Sequence, residues 1–345
     1  MLPAVSRAFR SLSFRSLTGE AWTFEPAGAA VRVPAVVTAL AVGFAVGRPL
    51  QGVVAASGAF LVGFGAGLEL FGSHMLPLAG VTLVIGASAT LGSVAAAHGM
   101  AAIVVVAALG ALCGFAASRG PAAAWIGVQA ALAGVVATSY PASLAHAGER
   151  ALLIVAGGLA QTLVLSLAHM ALRRVVGPAP PPAPERRYAL HLAAGLALAL
   201  SAEQALSIRN GYWVPMTTLL VLRPTTQSTM ARALARTLGT LAGVASASAL
   251  LLSTRPPRVA LACLVGAAAF GAYTFQKATY GLFSAFVAMY VVFLLALAGL
   301  PEEQVAVARI VATLVGACVG LAVQIADSAL GRARLVPLAS GERSP

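Results

Sequence analysis

The chain has 345 residues, of which 59% are hydrophobic and only 9% charged, with a mean hydropathy of +0.91. Soluble domains carry about 25% charged residues, so a water-soluble globule is excluded. The net charge of +12 would suggest nucleic acid in a soluble protein, but in so apolar a chain the cations must be placed relative to a bilayer.

A spanning helix needs about 20 apolar residues, so twelve would use roughly 240. The remainder supplies tails and loops and leaves no room for a folded extramembrane domain of ordinary size. Residues 1–30 hold Arg7, Arg10 and Arg15 but no apolar h-region ending in a cleavage site, so a signal peptide is not expected. Val5–Leu17 reads either as a helix lying on the membrane surface or as a basic tail. Apolar runs then predict a first membrane half within 31–176, with spans at 31–47, 50–68, 75–97, 99–117, 122–140 and 149–171. The Pro-rich stretch Gly177–Arg187 is a semi-rigid linker. The second half, 188–327, has spans at 188–207, 211–226, 230–252, 257–275, 279–299 and 304–326, and 328–345 is a tail. The expected fold is thus all-α and integral to the membrane, with about twelve transmembrane helices. Gly52–Val62 aligns weakly with Gly211–Val221, 159 residues on. Six spans per half is an even number, so the two halves would form a parallel repeat.

Orientation follows from Lys and Arg. With the N-terminus inside, only Arg48, Arg150, Arg209, Arg255, Arg258 and Arg309 fall outside, against 16 inside. This places both termini and the linker in the cytoplasm. The GxxxG pairs Gly43/Gly47, Gly63/Gly67, Gly110/Gly114, Gly239/Gly243 and Gly316/Gly320 predict close helix packing. Cys113, Cys263 and Cys318 lie in apolar runs without metal or disulfide spacing, and are expected as buried free thiols.

The segment Asn210–Gly243 combines apolar length with Arg223, Arg232, Arg236 and a Thr/Ser/Gln cluster that includes Thr217 and Thr218. Arg232, Arg236, Gly239 and Gly243 are spaced 4, 3 and 4, which puts them on one helical face. A face that packs through glycine is not lipid-facing, so the arginines should point into the bundle or a vestibule. Glu69, Asp327 or a substrate anion are the available partners. One reading is topology plus snorkelling to lipid phosphate. The other is an anion-attracting site, which suits the guanidinium fork. Pro215 and Pro224 bracket the second span of this half and are placed to break it.

The run Tyr212-Trp213-Val214-Pro215-Met216-Thr217, then Leu222-Arg223-Pro224, then Thr229, Arg232, Arg236, Gly239, Thr240 and Gly243 resembles the signature of the fusaric acid resistance/aromatic acid exporter family. That resemblance implies an inner-membrane exporter of aromatic carboxylates and related organic anions. The family is also related to plant malate channels, whose pores use basic residues. Trp213, Thr217, Thr218, Arg223, Arg232 and Arg236 are the candidate substrate-binding residues. Larger exporters of the family carry soluble domains for which this chain has no room, and the first half here lacks the Trp and the Arg pair.

Glu203 in the seventh span is a proton-coupling candidate, or else a residue of the outer interface. His98, His146, His169 and His191 read as interface residues, as do Trp22, Trp125 and Trp213. No catalytic constellation, nucleotide motif, cofactor motif or metal spacing is present, so the chain is not expected to be an enzyme. The expected activity is proton-gradient-driven efflux. An anion channel and a non-transporting scaffold or accessory subunit are the alternatives. Expected partners are a small organic anion, the lipid bilayer, and a second copy or an efflux complex, with no nucleic acid. Cysteines introduced at Ala183 and Ser340 should react with an impermeant thiol reagent only from the cytoplasmic side. Periplasmic labelling of either would overturn the topology.

Overall fold

The computed structural model describes residues 24–172, 185–208, 210–300 and 302–335. The Val5–Leu17 segment, Trp22 and most of the linker therefore lie outside the described residues. The described chain is helical, with one isolated bridge between Leu70 and Ser73. The helices are α1 Pro26–Ala45, α2 Pro49–Gly63, α3 Met75–Ala95, α4 Gly99–Ala117, α5 Pro121–Ala137, α6 Leu144–Leu172, α7 Glu185–Leu206, α8 Trp213–Val221, α9 Thr226–Thr254, α10 Arg258–Phe275, α11 Tyr280–Leu297 and α12 Glu302–Leu335. Three of them open on proline, whose missing N–H is an orphan at a helix start in any case.

Among the described residues nine helices are long and apolar enough to cross a bilayer, and α2 and α5 are apolar but shorter. The chain is a multi-pass membrane protein. The expected span 211–226 is shorter than its apolar run: α8 has nine residues, a length of about 13 Å against a hydrocarbon core of about 30 Å. Pro215 sits in its first turn and is tolerated there. The break comes at Leu222, which is extended (φ −62°, ψ 126°), followed by Arg223, which Pro224 keeps out of the helical region. Thr229 closes the break, since its hydroxyl accepts from the Arg223 N–H at 2.9 Å and donates to the Arg223 carbonyl at 3.2 Å. The Tyr188 hydroxyl donates to the Leu222 carbonyl at 3.1 Å. Non-helical backbone at membrane depth is thus satisfied within the protein, as hydrocarbon requires.

The helix pairs recur six helices apart. In the first half α1 packs on α2, α2 and α3 on α6, α3 on α5, and α4 on α5. In the second half α7 packs on α8, α8 and α9 on α12, α9 on α11, and α10 on α11. The halves meet through α4 against α7 and α10 against α1. One core cluster accordingly joins α1 and α2 to α9–α11, and another joins α4 and α5 to α7, α8 and α12.

Small residues set these distances. A Cβ on Gly157 would meet the Ala55 carbonyl across α6 and α2, and one on Gly316 would meet the Val214 carbonyl across α12 and α8. Both members of these two contacts are 159 residues apart, the offset of the weak sequence alignment. Gly110 and Gly114 press on α7, and Gly239 and Gly243 on α11. Gly47 and Gly67 do not pack as their GxxxG spacing suggested. They have φ of +71° and +88° with open space around them, and turn the chain after α1 and α2. Cys113 is buried as expected, but Cys263 and Cys318 are exposed on outward helix faces.

Gly157 and Gly148 lie on the same helix, and a Cβ on Gly148 meets nothing. Gly157→Ala should lower the thermal stability of the purified protein, by about 1–3 kcal/mol for overpacking. Gly148→Ala should leave it unchanged or raise it by up to about 1 kcal/mol through helix propensity. Thermal unfolding in detergent compares the two, and equal effects would reject close packing at Gly157.

Candidate functional site

An elongated cavity of about 910 Å³ lies between the two halves, at the upper end of the range for ligand sites. Its wall draws on α2, α3, α5 and α6 of the first half and on α8, α9 and α11 of the second. Trp125, Arg223, Gln276 and Lys277 line it near one set of helix ends, the Lys277 mouth, and Tyr140, Ala147, Arg150 and Leu295 near the opposite set, the Arg150 mouth. Between them stand Phe60, Phe64, Trp213, Tyr280, Phe283 and Tyr290. Trp125 and Trp213 both line the cavity.

Five cations line the cavity, Arg150, Arg223, Arg232, Arg236 and Lys277, and no Asp or Glu is among its lining residues. The arginine face on α9 points inward because Gly239 and Gly243, on the same face, hold that side of α9 against α11. Arg232 donates from Nε to the Leu220 carbonyl at 3.2 Å, at the end of the broken α8, and its guanidinium lies 3.8 Å from the centroid of the Tyr280 ring. Arg236, one turn further on, is 2% exposed. It donates from Nη1 to Ser284 Oγ at 3.3 Å, and its Nε has no partner. At the opposite mouth Arg150 donates to the Tyr140 carbonyl at 3.0 Å.

The carboxylates that the sequence offered as partners are engaged elsewhere. Asp327 pairs with Arg187 at 2.7 Å and with His191 at 2.8 Å, and Glu69 faces His74 at 3.9 Å. Among the described residues Arg223, Arg232 and Arg236 have no carboxylate within ion-pair distance. Of the five lining cations only Lys277 has one, Glu25 at 3.0 Å. Snorkelling does not describe a side chain as enclosed as Arg236.

Of the residues singled out in the sequence, Trp213, Arg223, Arg232 and Arg236 share this wall, and Thr217, Thr218 and Glu203 are not on it. Thr218 is fully buried and donates to the carbonyls of Val214 and Gly316. Thr217 packs against Gly316, so both threonines belong to the α8–α12 contact. Glu203 is half-buried against Gly211 at the end of α7. Sequence reasoning overlooked Arg150, Lys277, Tyr140, Tyr280 and Tyr290. The two cations had been counted only for orientation, and no local pattern marks any of the five.

Residues 195–323 match the family model described as fusaric acid resistance protein-like. This stretch is similar to fusaric acid resistance proteins. It runs from within α7 into α12 and contributes Trp213, Arg223, Arg232 and Arg236 to the cavity. The remaining wall, from Val53 to Ile154, lies outside the domain. No curated protein and no solved structure matches the chain.

The Lys277 mouth is also tied to the start of the described chain. Glu25 bridges Lys277 and Arg32, at 3.0 and 3.1 Å, and Arg32 also donates to Gln276 Oε1 at 3.0 Å. Burial pushes the Glu25 carboxyl up, but the hydrogen bond and charge of Lys277, and then Arg32, outweigh it and hold it below its ordinary value of 4.5. A lowered carboxylate contributes stability that is present above its unfolded pKa and lost as pH falls through its folded one. Thermal stability in detergent should therefore decline on acidification below about pH 4.5, where an unfolded Glu begins to protonate. Glu25→Gln should remove that part of the decline, and an unchanged acid profile would count against the bridge.

Proposed function

We propose that the protein is an inner-membrane transporter that exports organic anions, aromatic carboxylates in particular, through the cavity between its two halves. The observation that carries this reading is a wall with four arginines and a lysine and no acidic residue. Positive charge enclosed in an apolar bundle is costly unless an anion or water meets it, and a carboxylate fits the guanidinium fork. The aromatic walls favour an anion that bears a ring. The match to fusaric acid resistance protein-like sequences supports the same class of solute.

The recurrence of helix pairs and of the 159-residue offset supports a parallel duplication, with α1–α6 and α7–α12 as its halves. The Lys and Arg bias supports a cytoplasmic mouth at Arg223 and Lys277 and an outer mouth at Arg150 and Tyr140. An inside-negative potential expels an anion along this axis, with about 2.3 kcal/mol per charge for each 100 mV. Because Glu203 stands off the cavity wall, the structure favours potential-driven flux over proton exchange through that carboxylate.

In proteoliposomes the protein should move labelled benzoate, in preference to acetate, and reversing the potential should reverse the flux. Arg236→Ala should weaken half-saturation by about 1.5–3 kcal/mol, the value of a charged hydrogen bond. Arg236→Lys keeps the charge without the fork and should fall between. Absence of flux in the wild type would point to a scaffold. Near-normal flux in both Arg232→Ala and Arg236→Ala, in normally inserted protein, would reject the anion site.

A further inference from the structure

Arg309, on α12, is 1% exposed, and its Nε and Nη1 have no hydrogen-bond partner. Among the described residues no carboxylate pairs with it. Its guanidinium carbon lies 3.9 Å from the centroid of the Trp213 ring. Trp213 lines the cavity and Arg309 does not, so the indole stands between this charge and the cavity. A ring face offsets part of the cost of burying a cation, but it leaves the in-plane N–H groups without acceptors, and unmet N–H groups are expensive in an apolar setting.

The first half holds a counterpart. Arg150 precedes Arg309 by 159 residues, and Val54 precedes Trp213 by the same interval. That offset is physical, because the Gly157–Ala55 and Gly316–Val214 contacts obey it. Arg150 and Val54 both line the cavity. Where the first half has a valine, which leaves its arginine open, the second half has an indole, which covers its arginine. Arg309 and the equally enclosed Arg236 stand on α12 and α9, which pack on each other.

We propose that Arg309 is a second anion-binding residue, shuttered by the Trp213 ring, and that a carboxylate held at Arg236 passes to it when the ring turns aside. Arg150 is its open counterpart near the outer mouth. The indole then acts both as a stacking surface and as the gate between two anion positions. This deepens the transport reading and rests on it for the choice of a carboxylate as ligand.

Chemical modification separates the two ideas. The full chain in lipid nanodiscs is treated with p-hydroxyphenylglyoxal, which modifies guanidinium groups, and the rates at Arg150 and Arg309 are read by peptide mass spectrometry. In the wild type Arg309 should react about tenfold or more slowly than Arg150, as expected if the open state is a minor one. Trp213→Val, which copies Val54, should bring Arg309 to the rate of Arg150. Trp213→Phe, which keeps a ring over the guanidinium, should leave it slow. An unchanged rate at Arg150 reports that each variant keeps its fold. Benzoate should slow modification at Arg150, and at Arg309 in Trp213→Val. An Arg309 that stays unreactive in Trp213→Val overturns the shutter. An Arg309 that becomes reactive without benzoate protection, while Arg150 is protected, overturns the second anion position alone. Benzoate protection at neither arginine overturns the transport reading with it.

Discussion

A guanidinium shut inside an apolar bundle costs several kcal/mol unless a counter-charge, hydrogen bonds or water meet it, and among the described residues three are shut in. Arg32, Arg236 and Arg309 are each no more than 2% exposed. Arg32 carries Glu25 and Gln276 and reads as structural. Arg236 and Arg309 carry no acid and keep unpaired N–H groups. That imbalance is what the proposed anion site rests on, since an anion would supply what the fold withholds. A carboxylate built into the wall would satisfy the same groups and would remove the attraction for a solute.

Holding such charges in place takes a rigid frame, and lipid supplies no hydrophobic force to press helices together. Close approach of backbones does so instead. Gly239 and Gly243 set α9 against α11, and Gly157 and Gly316 set α6 and α12 against α2 and α8. These contacts fix which side of α9 faces the cavity, and therefore where Arg232 and Arg236 point. The broken α8 adds a carbonyl, that of Leu220, to hold Arg232. The same break brings Arg223 to the wall on a loop whose polar backbone is met by Thr229 and Tyr188.

The two halves differ in their chemistry. The stretch 195–323 brings three arginines, Lys277 and Trp213, and the first half brings Arg150, Gln129 and much of the apolar and aromatic lining.

The helical, membrane-integral character was legible in the sequence, because it depends on the length of apolar runs and on sparse charge. Twelve helices lie close to the apolar runs for the same reason. The inward direction of Arg232 and Arg236 was legible from their spacing with two glycines, because a helix converts spacing into a shared face. The 159-residue offset was visible too, though too weak to interpret without the Gly157 and Gly316 contacts. The partners were not legible. Asp327 and Glu69 were plausible counter-ions in the chain, but Asp327 is bound to Arg187 and His191, and Glu69 faces His74. Thr217 and Thr218 looked like ligands, yet a nine-residue helix turns them toward α12. Lys277 and Arg150 carry the same charge as any topogenic cation, and only the packing of distant helices brings them to one cavity. The sequence by itself determined the elements, their faces and the sign of the charge, since those follow from local periodicity and composition. The tertiary structure alone decided which cations meet an acid and which face an open cavity, because that depends on contacts between helices far apart in the chain.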